Sequence, residues 1–75
     1  MAFYININKT FEDDNAAEYQ FISSPNKNGL LRINKTTGAI VFLKSIAKNI
    51  NQRAAVKILK HWHNGSLPES TCWAS

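Results

Sequence analysis

Apolar residues recur every three or four positions within residues 51–64, and this spacing predicts one amphipathic helix. The apolar stripe consists of Ala54, Ala55, Ile58, Leu59 and Trp62. The opposite side carries Arg53, Lys57 and Lys60, so the outer face of the helix is basic. Asn49 or Asn51 is a candidate N-cap, and Gly65 offers a left-handed stop after the last turn. The apolar stripe needs a partner, and a sheet is the partner that the rest of the chain suggests.

Alternation of apolar and polar residues predicts β-strands in the first half of the chain. Residues 3–8 alternate strictly, with Phe3, Ile5 and Ile7 on one face. Residues 19–22, 30–34 and 39–43 are three further apolar runs, each bounded by turn-forming residues. Neighbouring runs joined by short turns form antiparallel pairs, which predicts a four-stranded meander.

The turn at residues 35–38 permits two registers between the third and fourth strands. A three-residue loop with Gly38 as the bulge residue pairs Ile33 with Val41. A four-residue loop instead pairs Ile33 with Ile40 and reverses the faces of the fourth strand. We favour the three-residue loop because it uses the glycine in its left-handed position.

The favoured register decides which side chains of the fourth strand are buried. Val41 and Leu43 would face the core, and Phe42 would lie beside Arg32 on the opposite face of the sheet. A large aromatic ring next to a guanidinium, on the face that the helix does not reach, is typical of an interface.

The hairpin sequence GLLRINKTTGAIVFLKSI contains the pattern N-x-x-T-G-x-I and resembles a hairpin that recurs in cadherin repeats. The match covers a short part of the chain, and the calcium-binding acids of those repeats are absent after it. A strand, a Thr-Gly turn and a second strand form a generic solution, so we infer nothing about function from this resemblance.

These elements predict a single small α+β domain over residues 1–75. Residues 1–45 form a four-stranded antiparallel β-meander, a helical region at 46–64 covers one face, and 65–75 form an irregular tail. The predicted core comprises Phe3, Ile5, Ile7, Tyr19, Phe21, Leu31, Ile33, Val41, Leu43, Ala55, Ile58, Leu59 and Trp62. Trp73 in the tail is expected to fold back onto the domain, since an exposed tryptophan is uncommon on a small protein.

The chain of 75 residues carries a net charge of +4, and its charges are unevenly distributed. Eight Lys or Arg and no acid lie between Tyr19 and Pro68, which favours an acidic or anionic partner or a solvated basic surface. No apolar run approaches the roughly 20 residues that span a bilayer, so we expect no membrane partner. The single cysteine, Cys72, and a start unlike a signal peptide favour a cytoplasmic location.

Catalytic and metal-binding patterns are weak. His61 and His63 lie two positions apart, and helical residues at that spacing point about 200° away from each other, so they cannot share a zinc ion with Cys72. No nucleophile motif and no phosphate-binding glycine loop is present. We therefore expect a non-enzymatic protein with no cofactor and no metal.

The face of the sheet that the helix leaves uncovered is the leading candidate site. It would display Tyr4, Asn6, Arg32, Asn34, Phe42 and Lys44. We interpret this surface as a binding module for another protein or for a second copy in a homo-oligomer. Nucleic acid is the alternative partner, bound by the same face or by the helix stripe of Arg53, Lys57 and Lys60.

Overall fold

A computed structural model describes residues 4–24 and 27–74 of the chain, without the side chains of residues 24 and 74. Its elements are β1 (Tyr4–Glu12), β2 (Ala16–Ser24), β3 (Lys27–Asn34), β4 (Ile40–Lys44), α1 (Lys48–His63) and β5 (Ser70–Ala74). The strands form one antiparallel sheet in the order β4-β3-β2-β1-β5. The chain therefore builds a meander first, crosses the sheet through α1, and adds its last strand at the far edge.

The α+β class with an antiparallel sheet and one helix is confirmed, but the predicted number of four strands is wrong. The fifth strand, β5, lies in the stretch that we assigned to an irregular tail. It pairs antiparallel with β1, with Ile5 opposite Trp73 and Ile7 opposite Thr71. Five residues without an apolar-polar alternation carry too little periodicity to be recognised as a strand. The pairing also brings Trp73 onto the domain, as expected, where it packs against the core.

One face of the sheet, here called the inner face, packs against α1. The buried strand residues on it are Ile5, Ile7, Ala17, Tyr19, Phe21, Leu31 and Ile33, and the buried apolar helix residues are Ile50, Ala54 and Ile58. Leu59 and Trp62 are partly buried against this cluster. Ala54 rather than Ala55 occupies the buried centre of the helix, so the apolar stripe is rotated slightly from our prediction. Phe3, also predicted as core, lies outside the described residues.

The register between β3 and β4 contradicts the one that we favoured. Ile33 pairs with Ile40, Arg32 with Val41 and Leu31 with Phe42, so the loop has four residues. The backbone N–H of Asn34 donates to the carbonyl of Ala39 at 2.8 Å and closes this loop.

The side chain of Asn34 explains why the longer loop forms. Its Oδ1 accepts the backbone N–H groups of Thr36 at 2.9 Å and Thr37 at 3.1 Å, which fixes the first part of the turn. Gly38 does adopt the expected left-handed conformation, with φ of 79°, but as the last residue of the four. A Cβ at this position would lie 2.7 Å from the Trp62 ring, so the glycine also makes room for the helix.

Because side chains alternate along a strand, the corrected register turns the residues of β4 before the bulge, Ile40 to Phe42, the other way. Val41 and Leu43, predicted as core residues, are 58% and 50% exposed. Phe42 points to the inner face, where its ring meets the edge of the Phe21 ring at a centroid distance of 6.2 Å. Lys44 pairs with Leu30 and Phe42 with Leu31, which leaves Leu43 as the extra residue of a bulge.

Helix α1 begins three residues before the predicted stretch, at Lys48, and neither Asn49 nor Asn51 is its N-cap. Ala47 occupies the cap position without a side-chain hydrogen bond. Asn51 instead fixes the β4–α1 connection: its Oδ1 accepts the backbone N–H of Ile46 at 3.1 Å, and its Nδ2 donates to Ser45 Oγ at 2.6 Å. The helix ends as predicted.

Candidate binding surface

The face opposite α1, here called the open face, carries most of the predicted site residues. Tyr4, Asn6, Arg32 and Asn34 project from it, as the alternation and pairing of their strands require. Lys44 reaches the same side beyond the bulge, where its Nζ donates to Asn28 Oδ1 at 3.0 Å. The exception is Phe42, which we predicted at the centre of the site, beside Arg32. It lies on the inner face, so that prediction is wrong.

The charge of Arg32 on this face is compensated by an ion pair. Its Nη1 donates to Glu18 Oε2 at 2.9 Å, across the β2–β3 pair. The interaction draws the guanidinium towards β2 and away from β4. An exposed ion pair of this kind contributes little to stability, but it removes an uncompensated charge from the middle of the sheet.

An apolar patch that sequence reasoning missed lies on the open face beside β4. Its members, here called the β4 patch, are Leu30, Val41 and Leu43. Val41 is exposed, Leu30 on the neighbouring strand is half-buried, and Leu43 is exposed at the bulge. The signal for this patch was present in the sequence, because the four-residue loop predicts it directly.

Strand β4 also presents free backbone groups. It is the terminal strand of the sheet, so within the described residues only β3 pairs with it. Residues in an antiparallel pair alternate between bonding to each other and pointing away. Since Asn34 bonds to Ala39 at the hairpin end, the N–H and C=O groups of Ile40 and Phe42 point outwards. The edge therefore offers donors and acceptors at alternate residues.

Helix α1 covers the inner side of β4 only in part. It packs closest to β5 and β1, at the opposite side of the sheet. Phe42 remains 36% exposed in spite of its contact with Phe21, and Ile40 is half-buried. β4 is thus accessible from both faces and along its edge.

The acidic residues are gathered at the end of the sheet where β1 turns into β2. Glu12 accepts from Lys9 Nζ at 2.6 Å and from Lys35 Nζ at 2.8 Å. The hydrogen bond from Lys35, followed by that from Lys9, lowers the pKa of the Glu12 carboxyl to about 2. Asp13 accepts the backbone N–H groups of Asn15 and Ala16 at 2.8 Å each, which also lowers its pKa. These carboxylates have structural partners and are not arranged as an acid and a base.

The three residues of the basic stripe that we proposed on α1 have different surroundings in the structure. The Arg53 guanidinium carbon lies 5.0 Å from the centroid of the Trp73 ring, so this side chain covers β5. Lys57 is half-buried and Lys60 is exposed. Among the described residues, neither lysine lies within ion-pair distance of an acid.

A cavity of about 480 Å³ lies between α1 and the acidic end of the sheet, lined by Glu12, Lys35, Trp62, Gly65, Ser66 and Leu67. Several of its polar groups are bonded to other parts of the chain. Lys35 Nζ donates to Glu12 Oε2 at 2.8 Å, Trp62 Nε1 donates to the Lys35 carbonyl at 2.8 Å, and the Leu67 carbonyl accepts from Lys9 Nζ at 3.0 Å. These contacts join α1 to the turn before β4 and fasten the chain before β5 to β1.

The histidines do not assemble with the cysteine. His61 Nε2 lies 3.2 Å from Thr71 Oγ1, and the His63 ring packs against the Trp62 ring at 5.0 Å. Across residues 4–24 and 27–74, no group of three or more His, Cys, Asp and Glu side chains is placed to hold a metal ion. The two histidines have structural neighbours instead.

Comparison with known proteins identifies no relative. No protein-family model matches the chain, and neither the curated proteins nor the solved structures contain a significant match. In the described part of the chain, no helix is long and apolar enough to cross a membrane. The β4 patch and the edge beside it remain the candidate site with the clearest geometry.

Proposed function

We propose that the protein is a non-catalytic binding module that engages an extended protein segment along β4. The observation that carries this proposal is the exposure of β4, with Val41 58%, Leu43 50% and Phe42 36% accessible. An edge strand with apolar side chains on both faces is a template for another strand. We therefore retain the open face as the proposed binding surface and place its centre at Val41 on β4, instead of at Phe42 and Arg32.

The binding mode that fits this geometry is strand addition. An incoming segment would form backbone hydrogen bonds with the outward groups of Ile40 and Phe42, and its alternate side chains would meet the two faces of β4. On the open face they would cover Val41 and Leu43. Burying the exposed part of a valine or leucine side chain contributes about 1 kcal/mol, so the patch and the backbone together can supply useful affinity.

The composition of β4 supports this use because the usual protections of an edge strand are few. Proteins commonly guard such edges with proline, with charged residues or with a covering helix. Within β4 only Lys44, at the end of the strand, is charged, and proline is absent. The bulge at Leu43 is a protection that β4 does have, and it leaves Ile40, Val41 and Phe42 as the regular edge.

A displayed library of random peptides tests the proposal without knowledge of the natural partner. Peptides selected on the wild-type protein are measured against two variants, Val41→Lys and Val56→Lys. Both valines are 58% exposed, but Val41 lies on β4 and Val56 lies on α1, so the substitutions are matched in chemistry and exposure. We expect the selected peptides to lose at least tenfold in affinity for Val41→Lys and to bind Val56→Lys normally, since a factor of ten corresponds to about 1.4 kcal/mol.

Amide chemical shifts provide the positional readout. Bound peptide should shift the Ile40 and Phe42 amides, whose N–H groups point outwards, more than the Val41 amide, whose N–H bonds to β3. If selection enriches no peptide that depends on Val41, or if both variants weaken binding equally, strand addition at β4 is refuted.

Nucleic-acid binding is the second candidate, and the separation of charge favours it. All five acids lie at or near the end of the sheet formed by the β1–β2 turn, where Lys9, Arg32 and Lys35 pair with them. Five other lysines are Lys27, Lys44, Lys48, Lys57 and Lys60. They lie on β3, β4 and α1, and within the described residues none of them lies within ion-pair distance of an acid, so they would attract phosphate groups.

A salt titration with mixed-sequence single-stranded and duplex DNA tests this second candidate. The double variant Lys57→Glu/Lys60→Glu should abolish binding if the exposed side of α1 contacts phosphates. The variant Lys27→Glu/Lys44→Glu, on β3 and β4, has the same net charge and serves as the control. Absence of salt-sensitive binding at low ionic strength, or equal loss in both variants, would remove α1 as a nucleic-acid surface.

A further inference from the structure

We infer that the segment added to β4 is the β4 strand of a second copy of this chain, which rests on the function proposed above. The two strands would run antiparallel about a two-fold axis beside Val41. The two sheets would then join into one continuous sheet, with both helices on the same side. Three features of β4 support this arrangement over an unrelated partner: its backbone register, its side-chain pattern and its charge.

The backbone register is complementary to itself. A two-fold axis beside Val41 places Ile40 of one copy opposite Phe42 of the other, in both directions. These are the residues whose N–H and C=O groups point away from β3. Each outward N–H or C=O group of Ile40 and Phe42 therefore meets a complementary group of the other copy. The bulged residues 43–44 take no part in this pairing.

The side-chain pattern is complementary as well. On the open face, the two Val41 side chains meet as a non-hydrogen-bonded pair, in which side chains approach most closely. On the inner face, each Ile40 lies beside the Phe42 of the other copy. The pairing would thus cover the exposed part of the Phe42 ring, which its contact with Phe21 leaves open.

Charge does not oppose this pairing. The one cation of β4, Lys44, lies at its end, and in this register the two Lys44 residues are separated by about 20 Å along the strands. Arg32, which is opposite Val41, is held by Glu18 on the side away from the axis. No like charges are therefore brought together at the centre of the interface.

An axis beside Phe42 would be less favourable. It would place Ile40 opposite Lys44, whose position is displaced by the bulge at Leu43, so the outward groups would not align. It would also set the cation of Lys44 against an apolar side chain. The axis beside Val41 uses the straight part of the strand.

The assembly should stop at two copies because β5 is a poorer template than β4. In the described part of the chain, none of the exposed large apolar side chains lies on β5. Arg53 packs over Trp73, and His61 lies 3.2 Å from Thr71, so α1 covers the inner face of β5. An isologous contact between two β4 strands uses up both open edges and leaves only β5 at each end.

Disulfide trapping tests the register. In a Cys72→Ser background, Val41→Cys should form an intermolecular disulfide on mild oxidation, because Cα atoms of a non-hydrogen-bonded pair lie about 4.5 Å apart. Phe42→Cys and Val56→Cys, in the same background, should not. Trapping through Phe42→Cys but not Val41→Cys would overturn the proposed axis, and equal trapping of all three would mean random collision.

Sedimentation of the intact protein tests the dimer itself. We expect a concentration-dependent dimer for the wild type and for Val56→Lys, and a monomer for Val41→Lys that keeps the circular dichroism spectrum of the folded wild type. A wild type that stays monomeric up to high micromolar concentration overturns self-pairing. In that case, peptides that still bind in a Val41-dependent manner would leave strand addition intact, whereas their absence would refute both proposals.

Discussion

The two edge strands of this sheet, β4 and β5, differ in composition and in how closely other parts of the chain pack on them. β5 consists of small and polar residues around Trp73, and the chain before it is tied down: Tyr19 donates its hydroxyl to the Pro68 carbonyl at 2.6 Å, and Lys9 donates to the Leu67 carbonyl at 3.0 Å. Arg53 then covers the tryptophan. β4 has an apolar side chain at every position but the last, and α1 packs closer to β5 than to it.

The comparison teaches that one helix cannot protect both edges of a five-stranded sheet. α1 lies closest to β1 and β5, and there it buries apolar surface and covers the inner face of β5. The opposite side of the sheet relies on the contact between Phe21 and Phe42. A strand that is protected against pairing at its edge is expected to carry charged side chains, but β4 carries Val41 and Leu43.

The largest expected effect concerns the protected edge. Trp73→Ala removes the side chain that fastens β5 to the core and that Arg53 covers, so we expect a loss of about 3 kcal/mol in the free energy of unfolding. Urea denaturation followed by circular dichroism measures this loss. Amides of β5 should also exchange faster than those of β2. A variant as stable as the wild type would mean that β5 contributes nothing to the fold.

A smaller effect is expected at the open edge. Phe42→Ser should cost about 2 kcal/mol, because the ring is partly exposed but packs on Phe21, whereas Val41→Ser should change stability by less than about 0.5 kcal/mol. Thermal melts of both variants decide the matter. The reverse order of destabilisation would restore the three-residue loop and return Phe42 to the open face.

The smallest effect concerns the Glu12 carboxylate. It is bonded to Lys35 in the turn before β4 and to Lys9, which also bonds to Leu67 before β5. Glu12 has a pKa of about 2 in the folded protein against an ordinary value of about 4.5, so its contribution to stability is complete above pH 4.5 and is lost as the pH falls through 2. Glu12→Gln should therefore flatten the pH dependence of the melting temperature between these values. Asp14→Asn, which alters an exposed turn residue, is the control. Identical profiles for the wild type and Glu12→Gln would show that the links to Lys9 and Lys35 do not matter.

Periodicity alone was enough to predict the helix and the meander. The alternation around Ile5 and Ile7 and the spacing of Ala54 and Ile58 are repeated over enough residues to determine which face is buried. β5 is too short for such a pattern, and its place beside β1 depends on the path of the whole chain. No local signal in Ser70–Ala74 indicates that pairing.

The candidate site was harder to predict because it depends on one residue of loop length. Both loops are compatible with Gly38, and the deciding interaction is the Asn34 side chain with the amides of Thr36 and Thr37. A shift by one residue exchanges Phe42 for Val41 on the open face. Tyr4, Asn6 and Arg32 were placed correctly because their strands have no such ambiguity.

The position of β5 also sets an order of events during folding. β1 is the first strand along the chain, yet its partner on one side is the last, so that pairing must close a loop containing nearly every other element. The local hairpins of the meander form without this cost. We therefore expect β1 to remain unpaired on that side during synthesis until β5 has been made and pairs with it.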